Sequence, residues 1–454
     1  MSLPRYPEYK ASRTDWLGEV PDHWVICALA YRYDVALGKM LDEKRVSGEH
    51  LAPYLRNVDV QWGRINTEAL PQMDFSGADV SRYGLRSGDL LVCEGGEIGR
   101  AAIWEGQLAE CYYQKALHRL RPHSGEDTPR FFQYVLRSAV AHGAFAGMGG
   151  KATIAHLPAE SFRRVLFPFP PVQEQLAVAS FLDRETARID ALIAEQETLL
   201  ALLAEKRQAT ISHAVTRGLD PNVPMKDSGI AWLGEVPAHW AVTTLGKTSS
   251  NRCDGPFGSG IKSDHYTEEG ALVVRLQNIR AGAFNLGEPV FLELQYFEEG
   301  LKGHEVRAGD LLVAGLGDDN NLLGRACVAP QGLGPALVKA DCFRFRLYQE
   351  VALPAFVSMQ LSAGAAFDAG MLATGTTRSR MPLGVMASRK MVLPPIHEQS
   401  RIAAFVEDAA RSLDILSAQA RRGVELLSER RSALISAAVT GQIDVRGAMD
   451  PQAS

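Results

Sequence analysis

The chain has 454 residues, of which 46% are hydrophobic and 22% charged, and its formal net charge is −5. This length predicts two to four domains, and the slightly acidic balance disfavours a protein that coats nucleic acid through a uniformly basic surface. There is no apolar run of about 18 residues and no apolar centre of a secretory signal, so we expect a cytoplasmic protein with no membrane partner. The six cysteines are scattered without metal-binding spacing, which predicts reduced, mostly buried thiols.

In chain order, the first conspicuous segment is WLGEVPDHW at 16–24, which returns as WLGEVPAHW at 232–240. Five further segments repeat in the same order and indicate an internal duplication. They are YLRNVDVQWGRI (54–65) with VVRLQNIRAGAF (273–284), LRSGDLLVCEGGEIGRAAI (85–103) with VRAGDLLVAGLGDDNNLLGRACV (306–328), KALHRLR (115–121) with KADCFRFR (339–346), PPVQEQLAVASFL (170–182) with PPIHEQSRIAAFV (394–406), and EKRQATISHAVTRGLD (205–220) with ERRSALISAAVTGQID (429–444).

The part of each half that precedes its Pro-Pro pair has the texture of a mixed α/β domain. Gly and Pro separate short apolar runs such as DLLVC, which predict strands, and segments such as TPRFFQYVLRSAVAHG predict helices. We therefore place one domain at 1–168 and a second at 219–392.

A long helix is predicted to follow each domain. No Gly or Pro occurs from Val172 to Thr216, and apolar residues recur there with helical period. We predict long helices at 169–218 and 393–445, with Gly423 as a weak point and 446–454 as a flexible tail. Their apolar seams predict coiled-coil packing and contain Leu182, Ile189, Leu192, Leu199 and Leu203 in the first helix and Ile402, Val406, Leu413, Leu416, Leu427 and Leu434 in the second.

One compact domain cannot bury the apolar stripe of a helix that is ~68 Å long, and the obvious partner is the other helix. Antiparallel pairing would relate the two halves by an approximate two-fold axis. The DNA backbone has the same symmetry, so inverted domains suit two separated half-sites. Because the two domains differ in sequence, we expect the half-sites to differ.

No catalytic or cofactor motif is complete in the sequence. PFGSG at 256–260 lacks the strand-to-helix context of a cofactor loop, and CEGGEIG at 93–99 and AGLGDDNNLLG at 314–324 lack the Gly-Lys-Ser/Thr of a phosphate-binding loop. Asp318 and Asp319 form either a metal site or an exposed acidic turn, and the turn is favoured. His118, His142, His213 and His239 do not cluster with nucleophiles.

Taken as an ordered set, the motifs cover nearly the whole chain. The set comprises the two WLGEVPxHW phrases, DGPFGSGIKS (254–263), GDLLV, PPxxEQ, ISHAVTRGLDPNVPMKDSGIAWLGEVPAHW and LISAAVTGQIDVR. It resembles the specificity subunit of type I restriction–modification systems. The resemblance implies an α/β (α+β) fold with two target-recognition domains, joined by two long antiparallel coiled-coil helices with pseudo-two-fold symmetry.

The same resemblance implies a prokaryotic, non-catalytic subunit that reads an asymmetric bipartite target on double-stranded DNA. Its helices would act as a spacer and dock two methyltransferase (modification) subunits, and restriction/translocase subunits would complete the complex. In that family the modification subunits methylate adenine at N6 with S-adenosylmethionine, and the restriction subunits use ATP and Mg²⁺. This chain itself would hold no cofactor and no metal.

Two other functions remain open at this point. A coiled-coil protein-interaction scaffold with two binding domains would agree with the acidic charge. A stand-alone methyltransferase is disfavoured because no Asp/Asn-Pro-Pro-aromatic tetrapeptide occurs in the chain.

Polar side chains are the candidates for DNA contact, because base edges need directional donors and phosphates need cations. For each residue the alternative is an ordinary solvated side chain, or a structural ion pair in the case of Arg56 and Arg275. The candidates are Arg56, Asn57, Gln61, Arg64, Gln114, Lys115, Lys151 and Thr153 in the first domain, and Lys262, Ser263, Arg275, Gln277, Asn278, Thr376, Thr377, Arg378 and Arg380 in the second.

Overall fold

The computed structural model describes residues 3–40, 48–146, 148, 156–256, 260–261, 265–318, 321–372 and 379–448. The chain divides into two compact units. Unit 1 consists of residues 1–197 and 422–454, and unit 2 consists of residues 198–421. Within the described ranges, no helix combines the length and the apolar character needed to cross a membrane.

Unit 1 is a mixed unit of short strands and helices. Its strands are β1 (Tyr9–Ala11), β2 (Glu19–Pro21), β3 (Val25–Ala28), β4 (Tyr33–Leu37), β5 (Leu51–Leu55), β6 (Val60–Gln61), β7 (Arg64–Ile65), β8 (Gln72–Asp74), β9 (Leu90–Cys93), β10 (Ala101–Ile103), β11 (Tyr112–Tyr113), β12 (Leu117–Pro122) and β13 (Leu166–Phe169). Its helices are α1 (Ala78–Tyr83), α2 (Pro129–Ala141), α3 (Ala159–Arg164), the first part of α4 (Val172–Arg217) and the last part of α8 (Ile396–Val439).

The central sheet of unit 1 has the antiparallel order β10-β9-β12-β4, and a second sheet has the order β11-β5-β8. The apolar run LLVC forms strand β9, and its four side chains are buried on both faces of the sheet. Leu90 and Val92 join the core under helix α2, whereas Leu91 and Cys93 join a second core shared with β5 and β11.

Unit 2 begins in the second part of α4 and continues with β14 (Met225–Asp227), β15 (Glu235–Pro237), β16 (Ala241–Thr244), β17 (Ser249–Cys253), β18 (Tyr266–Thr267), β19 (Ala271–Val274), β20 (Ile279–Arg280), β21 (Ala283–Phe284), β22 (Phe291–Leu292), α5 (Leu294–Tyr296), β23 (Leu311–Ala314), β24 (Leu316–Gly317), β25 (Ala326–Val328), β26 (Ala336–Val338), β27 (Cys342–Leu347), α6 (Pro354–Leu372), β28 (Ser379–Arg380), α7 (Leu383–Ser388), β29 (Lys390–Leu393) and the first part of α8 (Ile396–Val439).

The central sheet of unit 2 has the same strand order as that of unit 1, and the second sheet of unit 2 has four strands, in the order β18-β22-β19-β26, where unit 1 has three. Its central sheet is β17-β27-β23-β25, and β19 pairs in parallel with β26 as β5 does with β11. Strand β23 is again buried on both faces, with Leu311 and Val313 in one core and Leu312 and Ala314 in another. The internal repeat of the sequence is therefore a repeat of topology.

Helices α4 and α8 have 46 and 44 residues, and their parts run antiparallel within each unit. In unit 1, Asp190 forms an ion pair with Arg431, and Gly423 lies beside Gln196. In unit 2, Arg207 forms an ion pair with Asp414, and Gly218, which directly follows α4, lies beside Glu398. The residue number falls along α8 as it rises along α4, which confirms antiparallel pairing inside each unit.

The predicted seam residues divide into three groups. Leu182, Ile189, Leu203, Ile402, Val406 and Leu413 are buried, and Leu427 and Leu434 are half-buried. Leu192, Leu199 and Leu416 are instead exposed by 40, 41 and 48%, so they lie outside the buried seam of their own unit. A straight α-helix drifts by about 20° per heptad relative to a strict seven-residue pattern, which carries such positions out of the contact.

The repeated WLGEVPxHW phrase joins each domain to the start of a long helix. In unit 1, Trp24 and His23 contact Glu174, with Nε1 of Trp24 2.9 Å from Oε1 and Nε2 of His23 2.8 Å from Oε2. Glu174 belongs to the PPVQEQ motif at the start of α4. The next residue, Gln175, is 1% exposed and donates from its amide to the carbonyl of Pro170 at 2.9 Å. The Glu-Gln pair thus fixes the entrance of the helix.

Unit 2 makes the same contacts. Trp240 donates to Oε1 of Glu398 at 3.1 Å, and His239 lies 2.7 Å from Oε2 of the same carboxylate. The end of the other helix also reaches each phrase, because Gly441 packs on Pro21 and Trp24 in unit 1 and Gly218 packs on Pro237 and Trp240 in unit 2. The phrase therefore lies where one long helix begins and the other ends.

Candidate nucleic-acid interface

Equivalent tight turns carry the first candidate residues in the two units. Arg56 precedes the 3-10 turn Asn57–Asp59, and Arg275 precedes the turn Leu276–Asn278. The backbone N–H of Arg56 donates to the carboxylate of Asp59 at 2.8 Å, and that of Arg275 donates to the amide oxygen of Asn278 at 2.7 Å. The two turns are built by the same side-chain contact to the backbone.

The side chains of these arginines differ in their partners. Arg56 forms two bonds of 2.9 Å with Asp59, and this contact raises the pKa of the Arg56 guanidinium. Arg275 donates instead to the carbonyl of Glu288 at 2.6 Å. Asn278 is 2% exposed, and its amide nitrogen donates to the carbonyls of Asn285 and Leu286, so its hydrogen-bonding groups are used inside the fold.

An arginine supports each turn from behind. Arg100 donates to the carbonyl of Asn57 at 2.9 Å, and Arg325 donates to the carbonyl of Leu276 at the same distance. Both arginines follow a glycine in the GR pair that the two halves share. Arg325 is only 6% exposed, and burial together with nearby Arg280 lowers its pKa.

The other candidates in unit 1 lie around the same turn. Arg64 and Lys115 are exposed, whereas Gln61 and Gln114 are half-buried. The side-chain amide of Gln61 donates to the carbonyl of Val58 at 2.9 Å. The backbone N–H of Gln114 donates to the carbonyl of Leu55 at 3.0 Å. Thus the β6–β7 hairpin and the segment before β12 surround one turn.

Unit 2 contains a cleft at the corresponding place. Its volume is about 440 Å³, and it is lined by Arg275, Leu276, Gln277, Arg280, Leu316, Gly317, Asp318, Asn321, Arg325, Lys339 and Ala340. Two of the predicted contacts, Arg275 and Gln277, are in this lining, and Gln277 is exposed at the turn. Four cationic side chains face one described carboxylate, that of Asp318, so the cleft favours an anionic ligand.

Four residues of the cleft are not among the predicted contacts, namely Arg280, Asn321, Arg325 and Lys339. The sequence contains a signal for two of them. Lys339 aligns with Lys115, which is a predicted contact, and Arg325 aligns with Arg100. Asn321 lies in the short insertion of the second copy, where the first copy offers no counterpart. Arg380 lies outside this lining, and its Nε donates to Asp341 at 2.7 Å.

Several predicted residues fall outside the described part of the chain. They are Lys151, Thr153, Lys262, Ser263, Thr376, Thr377 and Arg378 among the DNA contacts, Asp319 of the acidic pair, and 449–454 of the tail. The tail residues Arg446–Ala448 form a 3-10 turn, in which Arg446 pairs with Asp444 at 2.6 Å.

The chemistry of the cysteines and of possible metal ligands is simple. The six cysteines are free thiols, and four of them are buried; burial raises the pKa of Cys111 and of Cys327 to about 12. In the described ranges, no three His, Cys, Asp or Glu side chains are grouped so that they could hold a metal ion.

Similar proteins give these features a context. The chain is 25% identical to the putative type I restriction enzyme MjaX specificity subunit of Methanocaldococcus jannaschii, and the match covers 98% of this chain and 99% of that protein. It is 22% identical to the type I restriction enzyme EcoKI specificity subunit of Escherichia coli K12, over 94% of this chain and 90% of that protein. Over nearly its whole length, the chain is therefore similar to type I restriction enzyme specificity subunits.

Solved structures agree with this type I specificity subunit fold. A chain from a structure described as "Structural basis underlying complex assembly and conformational transition of the type I R-M system" has a TM-score of 0.65, with 15% identity over 92% of this chain and 98% of that one. The HsdS subunit from Thermoanaerobacter tengcongensis has a TM-score of 0.55, also with 15% identity, over 93% of this chain and 98% of that one. No family model matches the chain.

Proposed function

We propose that this chain is the DNA sequence-specificity subunit of a type I restriction–modification complex. It recognises an asymmetric bipartite target, unit 1 reading one half-site and unit 2 the other, and it positions N6-adenine methyltransferase and restriction subunits there. The observation that carries the proposal is the repeated topology with different side chains around the equivalent turns. Gln61 of unit 1 corresponds to Arg280 of unit 2, and Val58 corresponds to Gln277.

A specificity subunit of this kind has no catalytic task of its own. S-adenosylmethionine would be bound by the modification subunits, and ATP and Mg²⁺ by the restriction subunits.

The long helices offer surfaces for the modification subunits. Leu176 and Leu192 of α4 are 48 and 40% exposed in unit 1, and Phe405 and Ile415 of α8 are 46 and 55% exposed in unit 2. Apolar side chains that remain exposed along a helix are favoured at protein interfaces when they are grouped.

The experiment that tests the proposal is an exchange of residues 1–168 for the same region of a relative that has a different known target. Methylome sequencing of the host should show that one half-site changes and the other is kept. The matched control is the reciprocal exchange of residues 219–392, which should change only the second half-site. A loss or change of both half-sites in properly folded chimeras would refute modular reading.

Deletion of the gene, read by the same methylome sequencing, separates the proposal from the scaffold alternative. A protein-interaction scaffold would leave the host methylome unchanged when its gene is deleted, whereas a specificity subunit would remove methylation at one bipartite sequence. The relatives' names favour the second outcome.

A further inference from the structure

The cleft of unit 2 contains a cationic side chain, Arg280, that is oriented by hydrogen bonds. Arg280 donates from Nη1 to the amide oxygen of Asn321 at 2.6 Å. The amide nitrogen of Asn321 in turn donates to Asp318 at 3.1 Å, and the backbone N–H of Asn321 donates to the same carboxylate oxygen at 2.7 Å. Arg280 is therefore oriented by a chain of two side chains, although it is exposed.

The backbone under Arg280 is also fixed. Arg280 ends the two-residue strand β20, which pairs with β21 in a hairpin. Arg325 donates to the carbonyls of Ile279 and Leu276, at 2.8 and 2.9 Å. This buried guanidinium thus anchors both ends of the segment 276–279, and the exposed Gln277 lies inside it. A guanidinium held in this way loses less rotamer entropy when it forms further hydrogen bonds.

A second cation lies in the same cleft under a different constraint. Lys339 donates to the phenol oxygen of Tyr266 at 2.7 Å and is half-buried. An ammonium group is a compact point charge without the planar fork of a guanidinium. It is suited to a phosphate, whereas the guanidinium is suited to an acceptor pair on a base edge.

We propose that Arg280 reads a guanine in the half-site that unit 2 recognises, with Asn321 as its positioning residue and Lys339 on a neighbouring phosphate. Guanine presents O6 and N7 in the major groove, and a bidentate arginine is the commonest specific contact to this pair of acceptors. Within the described residues, the bond to Asn321 engages one of the five guanidinium donors of Arg280. The inference rests on the proposed function, because it assigns a base to a site that must first bind DNA.

The contrast with unit 1 sharpens the assignment. At the position equivalent to Arg280, unit 1 has Gln61, and glutamine pairs with the N6 and N7 of adenine. The Asp318–Asn321 support lies in the insertion that only the second copy carries. The guanine contact should therefore be specific to the second half-site.

The test uses the full chain with its modification subunits and DNA duplexes that contain the target found by methylome sequencing. Each base pair of the second half-site is replaced in turn, and binding is measured for wild type, Arg280→Ala, Arg280→Lys and Lys339→Ala at several salt concentrations. Gln61→Ala is the equivalent variant of unit 1, and Arg307→Ala removes an exposed arginine that does not line the cleft. Thermal unfolding of each variant controls for folding.

We expect Arg280→Ala to weaken binding to the target about 5- to 150-fold and to abolish the preference for guanine at one position. Arg280→Lys should keep the charge and the fold but lose most of this preference. Lys339→Ala should weaken all sequences equally and reduce the salt slope by about one. Gln61→Ala should leave discrimination in the second half-site unchanged, and Arg307→Ala should behave as wild type.

Three results would overturn the inference. The second half-site could contain no G·C pair, Arg280→Ala could keep the wild-type preference at every position, or it could weaken all sequences equally, as a phosphate contact would. In each of these results the wild-type complex still methylates and binds one bipartite sequence. Failure of the proposed function is a different observation, namely that the wild-type complex itself has no sequence preference.

Discussion

Trp24 donates a hydrogen bond from Nε1 to Oε1 of Glu174 at 2.9 Å, although the two residues are 150 positions apart. Trp240 and Glu398 form the same bond at 3.1 Å across 158 positions. Both indoles are fully buried, and each packs edge-on against a phenylalanine of the following domain, Phe131 or Phe356. The repeated phrase is therefore a structural connection between domain and helix in each unit.

The first prediction is that Trp24→Ala and Trp240→Ala lower stability before they change specificity. Removing a buried tryptophan costs about 3–5 kcal/mol, and each change also leaves a carboxylate oxygen without its indole donor. Urea unfolding of the full chain measures the loss, and Tyr31→Ala, which removes a 78% exposed aromatic ring, serves as control. A fully stable Trp24→Ala variant that methylates a different sequence would contradict the structural role.

The glycines that end the two long helices give a second prediction with an internal comparison. Both have positive φ, +73° at Gly441 and +75° at Gly218, which costs an L-residue roughly 1–2 kcal/mol. A Cβ at Gly441 would lie 2.2 Å from Cδ of Pro21, whereas a Cβ at Gly218 would meet nothing closer than 3.3 Å. Gly441→Ala should therefore lower the free energy of unfolding by clearly more than Gly218→Ala. Equal losses would show that the contact with Pro21 is readily relieved.

The sequence predicted the duplicated topology well, because strand and helix patterns are local. The run DLLV predicted a strand in each half, and β9 and β23 are buried there on both faces. The exposure of Leu192 could not be predicted from the heptad pattern, because the face that a long helix buries depends on the partner that it meets. The cleft was also missed because it depends on contacts between distant segments, such as Arg280 with Asn321, which are 41 positions apart.

The pH dependence of stability should contain a contribution from His118. This residue lies in β12 and is fully buried, and its Nε2 is 2.8 Å from the carbonyl oxygen of Leu157. Burial lowers the pKa of His118 from 6.5 to about 4. The unfolded chain therefore binds the proton at a higher pH than the folded chain, so this stability is present above about pH 6.5 and is lost as the pH falls towards 4.

Complete loss of the His118 contribution lowers the free energy of unfolding by roughly 3 kcal/mol. His118→Gln keeps a donor for Leu157 but cannot be charged, so its stability should depend less on pH between 4 and 6.5 than that of wild type. Chemical unfolding at a series of pH values measures the difference. His123→Gln, which changes an exposed histidine, should retain the wild-type curve. An unchanged curve for His118→Gln would exclude His118 as the source.

A substitution at Gly423 is predicted to raise the stability of the protein. It lies inside helix α8, and a Cβ there would meet Gln196 at 3.7 Å, an ordinary contact distance. Replacing a glycine inside a helix by alanine gains about 0.5–1 kcal/mol, so Gly423→Ala should raise the unfolding free energy. Gly364→Ala in α6 is the matched control, because its Cβ would lie 2.6 Å from the ring of Trp232 and should destabilise. Destabilisation by Gly423→Ala would show that α8 needs this glycine for packing.

The final prediction concerns the length of the helices. Under the proposed function, α4 and α8 set the distance between the two recognised half-sites, and a helix of 46 residues is about 69 Å long. We expect four residues inserted after Leu199, with four matching residues after Ala420 because the helices are antiparallel in each unit, to add about 6 Å. One base pair adds ~3.4 Å along DNA, so the unspecified spacer of the methylated sequence should lengthen by one or two base pairs while both half-sites are kept. Methylome sequencing reads the two half-sites and the spacer at once.

The matched control replaces four residues at each of the same places without changing the helix length, and it should keep the original spacer. An unchanged spacer in the stable lengthened variant would mean that the distance between half-sites is set outside the helices.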